Sequence, residues 1–342
     1  MNAYFARLGV AQSGTQLNAG CKPRLGARRL RIAAGDRLWC PTHMPDSVPH
    51  SRPWLTPEDF AAVADQLASG QVAEGAATAA FERSLAARYG YSSATACGSG
   101  SQALLLALRA AGVRPGDRIA LPTYVCPEVM GVVEAMGAVP ALADIGEDYL
   151  LNPADPALHG ARAIILPSVL GVRADARRYQ FDAPVIADWA QYAPAAPGDP
   201  ADAFALVATS FEATKILAAG EGGAVLTSHP DYAERLAAMK RIDGADLKLN
   251  LYPLSALQAA LASSQLSKLD VMLVRRAAIV ARYRENLSAL GVGEAMQFRF
   301  ILRRPEGVSD ALIAAFAKHG VMARRPVAIL LHHLRPADRT FP

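Results

Sequence analysis

Between residues 92 and 228 the chain alternates short apolar runs with stretches of helical character. "SSATAC", "RIALP", "AVPALADI", "ARAIILPSV", "APVIAD", "AFALVATSF" and "GGAVLTS" each read as a strand. "QALLLALRAAG" and "PEVMGVVEAMG" between them read as helices that stop at a glycine. The strands are mostly continuous apolar runs, as expected where helices cover both faces of a sheet. This alternation predicts an α/β fold with a mostly parallel sheet.

Two helices precede that region. In "LTPEDFAAVADQLASG", Thr56 is a natural N-cap and Pro57 suits the first helical position. Glu58 and Asp59 fall in the first turn, and Gly70 stops the helix. "AATAAFERSLAARYG" predicts a second helix, closed by Gly90. After about residue 245 the pattern changes to a long helical stretch, "LSALQAALASSQLSKLDVMLVRRAAIVARYRENLSAL". "QFRFILRR", "SDALIAAFAKHG" and "VMARR" then read as strand, helix and strand. The expected division is a large domain over 44–245 and a smaller C-terminal α/β domain over 246–342. Residues 1–43 show no helical or strand period and are expected to be a disordered extension or a start assigned too early, with Met44 the working start.

Composition adds bounds. Of 342 residues, 52% are hydrophobic, enough for a sizeable core. No apolar stretch reaches the ~18 residues of a membrane span, so no membrane partner is expected. The net charge of +4 resides in the leader: Arg7, Lys22, Arg24, Arg28, Arg29 and Arg31 stand there without an acid before Asp36. The remainder is slightly acidic, and no nucleic-acid partner is inferred. Cys21, Cys40, Cys97 and Cys126 form no CxxC pair, so a reducing cytoplasm is the expectation and no metal is assigned.

Three features fall at strand ends, where open α/β sheets bind ligands. "CGSGSQALLL" is a glycine-serine turn running into a helix, whose first N–H groups suit an anion. "VIADWAQY" closes an apolar strand on Asp188, with Gln191 three residues on. "SFEATKILAAGEGGAV" places Lys215 after a strand and before a glycine-rich turn. Each has an ordinary structural reading on its own: a helix cap, a loop acid, a surface lysine. Together they suit pyridoxal phosphate (PLP): a phosphate site, an acid for the pyridinium nitrogen and a Schiff-base lysine.

From about Pro53 to Pro342 the chain resembles the DegT-type sugar aminotransferases of PLP fold type I. "GSGSQALLLAL" is similar to that family's phosphate loop, "ADWAQY" to its pyridinium-acid motif and "SFEATK" to its Schiff-base motif. The resemblance implies that Lys215 and Asp188 are catalytic. It implies cofactor contacts from Gly100, Ser101, Gln102, Cys126, Gln191 and Ser210. It also implies that Asn250 reaches the phosphate of a neighbouring subunit, so that a homodimer shares its active sites. The implied activity moves an amino group, with glutamate the expected donor, to a keto-sugar nucleotide. The chain departs from the pattern in three places. Cys126 stands where relatives place an aromatic ring, "NLYP" lacks the usual arginine and methionine, and "LPSVLGVRAD" is short and lacks a histidine. It also ends earlier than expected of relatives, which keeps a truncated, non-catalytic PLP-binding or regulatory paralogue as the alternative. A dehydratase of the same family is disfavoured by the presence of Lys215, and a cysteine desulfurase by the lack of a reactive-cysteine loop near the C-terminus. An aldolase on the same fold stays open.

Overall fold

In a computed structural model the described residues are 47–199, 202–240, 253–287, 297–302, 309–334 and 341. Ser47–Pro342 forms one compact unit. Helix α1 (Pro57–Ala68) opens it, as its signals predict. Thr56 and Asp59 close a capping box, and Asp59 is only 1% exposed. Lys268 pairs with that carboxylate, while Ser264 and Gln265 donate to it at 2.7 and 2.8 Å. Helix α2 (Ala76–Tyr89) ends on Gly90, whose φ of 78° is a left-handed cap.

The sheet contains β1 (Ser93–Cys97), β2 (Arg118–Pro122), β3 (Val139–Ala143), β4 (Ala163–Pro167), β5 (Val185–Asp188), β6 (Leu206–Ser210) and β7 (Gly223–Thr227). Its order is β1-β7-β6-β5-β4-β2-β3. Only β7 runs against its neighbours. The other six strands therefore end at one edge of the sheet.

Helices α3 (Gly100–Ala110), α4 (Pro127–Ala135) and α5 (Pro230–Lys240) contribute to the core on one face. Helix α2 and α6 (Ala256–Ser267) contribute to the core on the other. Strand β4 shows why its sequence does not alternate. Ala163 and Ile165 belong to one core, Ile164 and Leu166 to the other, and all four are fully buried. Each of the isoleucine and leucine side chains contributes about 1.5–3 kcal/mol.

The long helical stretch is two helices, α6 and α7 (Leu269–Leu287), with Lys268 as the C-cap between them. Helix α8 spans Ser309–Lys318, and α9 is the short turn Leu331–Leu334. The expected strand "QFRFILRR" does not form across its described part, 297–302. Within that part only Leu302 holds a β-bridge position, and the amides of Phe298 and Arg299 donate to the Leu170 carbonyl, each at 3.1 Å. The expected strand "VMARR" is reduced to an isolated parallel bridge between Val48 and Val321. Asn250 and the expected leader 1–43 lie outside the described residues.

Candidate active site

The register brings the three predicted features together. Cys97 is level with Gly223, and Gly223 with Ser210. Asp188 is level with Pro167 on one side and Ala208 on the other. The α3 N-terminus after β1, the Asp188 end of β5 and the Lys215 loop after β6 thus share one edge.

At that edge α3 begins hard against β6. A Cβ on Gly100 would lie 2.7 Å from the Ser210 Cβ and 3.0 Å from its Oγ. Ser99 caps the helix, its Oγ accepting from the Gln102 N–H at 3.3 Å. The N–H groups of Gly100 and Ser101 belong to the first turn, which has no intrahelical acceptor. Ser101 is exposed and Ser210 is buried. Oε1 of Gln102 is buried and has no hydrogen-bond partner. A half-turn of that amide would present a donor instead. Helix N–H groups, a buried hydroxyl and an orphaned amide together fit a phosphate.

Lys215 is half-buried on a loop tightly closed upon itself. Phe211 and Ala219 bind Gly222 and Phe211 carbonyls at 2.8 Å each, and Ala213 N–H binds the Gly220 carbonyl at 3.0 Å. The "GEGG" glycines are required there. Gly222 has φ 137°, and a Cβ on Gly223 would lie 2.4 Å from the Ser99 carbonyl oxygen. Lys215 Nζ lies 5.8 Å from the centroid of the Phe298 ring.

Asp188 is 8% exposed. Its Oδ1 accepts the Ala190 N–H at 2.9 Å. Burial raises its pKa, against the opposing effects of that bond and of the Lys215 charge. A buried carboxyl with spare acceptor capacity fits a protonated ring nitrogen, which would stabilise its charged form. Cys126 caps α4 at the same edge, exposed, with its thiol donating to Glu128 at 2.5 Å. Desolvation and the Glu128 carboxylate push that thiol up to about 11, and the Lys215 charge acts on both groups.

Gln191 also serves the backbone next to Asp188. Its Oε1 accepts the Leu170 N–H at 2.7 Å and helps hold Leu170 at φ 65°, unusual for a side chain with a Cβ. Two neighbours escaped the sequence reading. Ser168, 1% exposed with an unpartnered Oγ, follows β4 and donates its N–H to the Asp188 carbonyl at 2.9 Å. The strand-end rule that singled out Asp188 also covers Ser168. Phe298 had no such signal, because it meets the Lys215 loop only through the folded chain.

The family model for the DegT/DnrJ/EryC1/StrS aminotransferases matches residues 53–340. The chain belongs to this family. Among solved structures it resembles DesV of S. venezuelae in complex with a ketimine intermediate, at 27% identity and TM-score 0.71, covering 82% of this chain and 81% of that one. It also resembles the sugar aminotransferase Spr1654 of Streptococcus pneumoniae in its PMP form, described there as putative, at 21% identity and TM-score 0.74, covering 84% and 86%. DesI with its TDP-sugar product matches at 22% identity and TM-score 0.74, covering 85% and 83%. Membership makes this DegT-family chain a PLP-dependent aminotransferase, in agreement with the fold type and cofactor expected from its sequence. Among the described residues no helix is long and apolar enough to cross a membrane, and no cluster of His, Cys, Asp and Glu could hold a metal ion.

Proposed function

We propose that this enzyme moves an amino group from glutamate to a keto-sugar nucleotide. The observation that carries the reading is the meeting of Lys215, Asp188 and the Gly100–Ser210 cradle at one sheet edge. The family's aminotransferase activity supports it. DesI, solved with its TDP-sugar product, supports a nucleotide-linked acceptor.

The PLP phosphate would be held by the first turn of α3 and Ser210, with Ser101 and Gln102 beside it. Asp188 would pair with the ring nitrogen, and Cys126 and Gln191 would border the ring. Bound there, the cofactor supplies an electron sink for the substrate carbon. Lys215 is its attachment point. Once released, Nζ takes the proton from the donor Cα, and the same amine later returns a proton to the acceptor carbon. Asp188, fixed by Ala190, would place its carboxylate at the ring nitrogen, whose positive charge offsets the burial that otherwise favours the neutral acid. Donor and acceptor use one site in turn, so ping-pong kinetics are expected.

A homodimer with shared sites belongs to the same proposal. Exposed apolar side chains support it: Phe60 and Leu67 on α1, and Val271, Val274 and Ile279 on α7. The division into a large and a smaller domain near residue 245 and a cytoplasmic location are also kept as proposals.

Single-turnover spectroscopy tests the function. Glutamate should bleach the visible band of the loaded enzyme, and a keto-sugar nucleotide should restore it. A band unchanged by glutamate would favour a non-catalytic PLP-binding protein.

A further inference from the structure

We propose that Arg276 and Arg299 form a binding site for an oxyanion of the substrate at Phe298, whose ring Lys215 also approaches. The Arg299 Cζ lies 3.7 Å from the ring centroid that Lys215 Nζ approaches at 5.8 Å. Both guanidinium groups donate through Nη1 to one acceptor, the Phe298 carbonyl, at 3.3 Å each. Arg299 Nη2 also donates to Ser51 Oγ at 2.8 Å. Each guanidinium has five N–H donors, so most of this capacity is unused by these bonds.

The pair differs from other arginines of the molecule. Arg88, Arg173, Arg177, Arg178 and Arg325 each meet an aspartate within hydrogen-bond distance. Among the described residues Arg276 and Arg299 meet no carboxylate, although both are half-buried. His50 and Arg324 add to the same basic cluster. Glu212 is the acid whose charge acts on Arg299. The cost shows in titration: burial and the Arg276 charge push Arg299 down to about 10. Burial also lowers Arg276. Two close, desolvated cations that no carboxylate touches are costly to maintain. An anion at that point removes the repulsion, and the planar guanidinium fork suits carboxylate and phosphate oxygens.

The ligand is an oxyanion carried by a molecule that reacts at Lys215. Either a carboxylate of the amino donor or a phosphate of the nucleotide-linked acceptor has that chemistry. The choice of these two sources rests on the proposed function, whereas anion binding itself does not.

The test uses the full chain as the PLP-loaded enzyme, with Arg299→Gln, Arg276→Gln, Arg299→Lys and the surface control Arg325→Gln. Glutarate and inorganic pyrophosphate serve as probes in calorimetric titration at fixed ionic strength. Wild type and the Arg325 control should bind at least one probe. Arg299→Gln and Arg276→Gln should bind it about tenfold or more weakly, as expected for losing a charge-assisted hydrogen bond. Arg299→Lys should retain the fold by circular dichroism and recover part of the affinity.

A carboxylate site would raise the KM for glutamate in the donor half-reaction with kcat little changed. A phosphate site would leave that half-reaction intact and raise the KM for the sugar nucleotide. Wild-type affinity for a probe without amino transfer would leave the anion site standing and remove the functional reading. Undetectable affinity of wild type for both probes would overturn the anion site. So would unchanged affinity in both Gln variants, or altered sedimentation with unchanged affinity, which would make the pair structural.

Discussion

Gly100 and Ser210 touch across the sheet edge, with no room for a side chain on the first residue of α3. A Cβ at Gly100 would fall 2.7 Å from the Ser210 Cβ. Neither backbone can yield easily, because Ser210 is paired to Gly223 in the sheet. Gly100→Ala should push α3 outward, at about 1–3 kcal/mol in stability as for other overpacking changes. The helix N–H groups and the Ser210 hydroxyl would then part. Equilibrium dialysis should show weaker PLP retention, and a thermal melt should show a lower midpoint.

Among the described residues that form this edge, Lys215 brings the primary amine that a Schiff base requires. Borohydride reduction of the loaded enzyme should fix the label on the peptide containing Lys215, as read by mass spectrometry. Lys215→Ala should retain non-covalent PLP through the phosphate contacts yet give no reduced adduct and no turnover. Label on another lysine would overturn the assignment.

Asp188 predicts a signature in pH. Its pKa is raised above the ordinary 3.8 by burial. Below that value the carboxyl is neutral in both folded and unfolded chains, and its contribution to stability is fully present. As pH rises, the unfolded carboxyl ionises first, so stability is lost until pH passes the folded pKa. The difference in melting temperature between cofactor-free wild type and Asp188→Asn should therefore move in favour of the variant as pH rises above the ordinary carboxylate value. PLP should remove that advantage, because in the proposed arrangement the ring nitrogen would partner the wild-type carboxylate. A difference constant with pH would show that Asp188 titrates normally.

The sheet was readable because its rule is local. Ile164, Ile165 and Leu166 alternate between two cores, so a strand buried on both faces writes itself as a continuous apolar run. The strand-end rule placed the glycine-serine turn, Asp188 and the Lys215 loop at what the register shows to be one edge. "QFRFILRR" misled because its alternation fits a strand, while strand formation requires a partner that sequence does not reveal. Its amides bind the Leu170 and Gly171 carbonyls, which lie far away along the chain. Gln191 was placed in the right neighbourhood, but its bond to Leu170 depends on a left-handed turn that no local pattern announces. The pairing of Arg276 with Arg299 is invisible for the same reason: it joins two segments at the Phe298 carbonyl.

That contact supplies the last prediction. Gly171 has φ 84°, and a Cβ there would lie 2.4 Å from the Phe298 N and 3.0 Å from the Gln297 N. Gln297 in turn grips Ala193 through two 2.8 Å bonds, accepting its N–H and donating to its carbonyl. The 297–299 segment is thus clamped between two loops of the site edge, with Phe298 facing Lys215 and Arg299 above the ring. Gly171→Ala combines left-handed backbone strain with a backbone collision, so the segment must lift. The strain alone costs about 1 kcal/mol or more. Lifting it separates Phe298 and Arg299 from Lys215 without touching the phosphate cradle. PLP affinity should hold within about twofold, since no cradle contact changes. The KM for the substrate whose oxyanion uses Arg299 should rise, and protease cleavage near residue 297 should quicken. Equal KM values and equal cleavage in variant and wild type would mean that the segment can rest elsewhere without cost to the site.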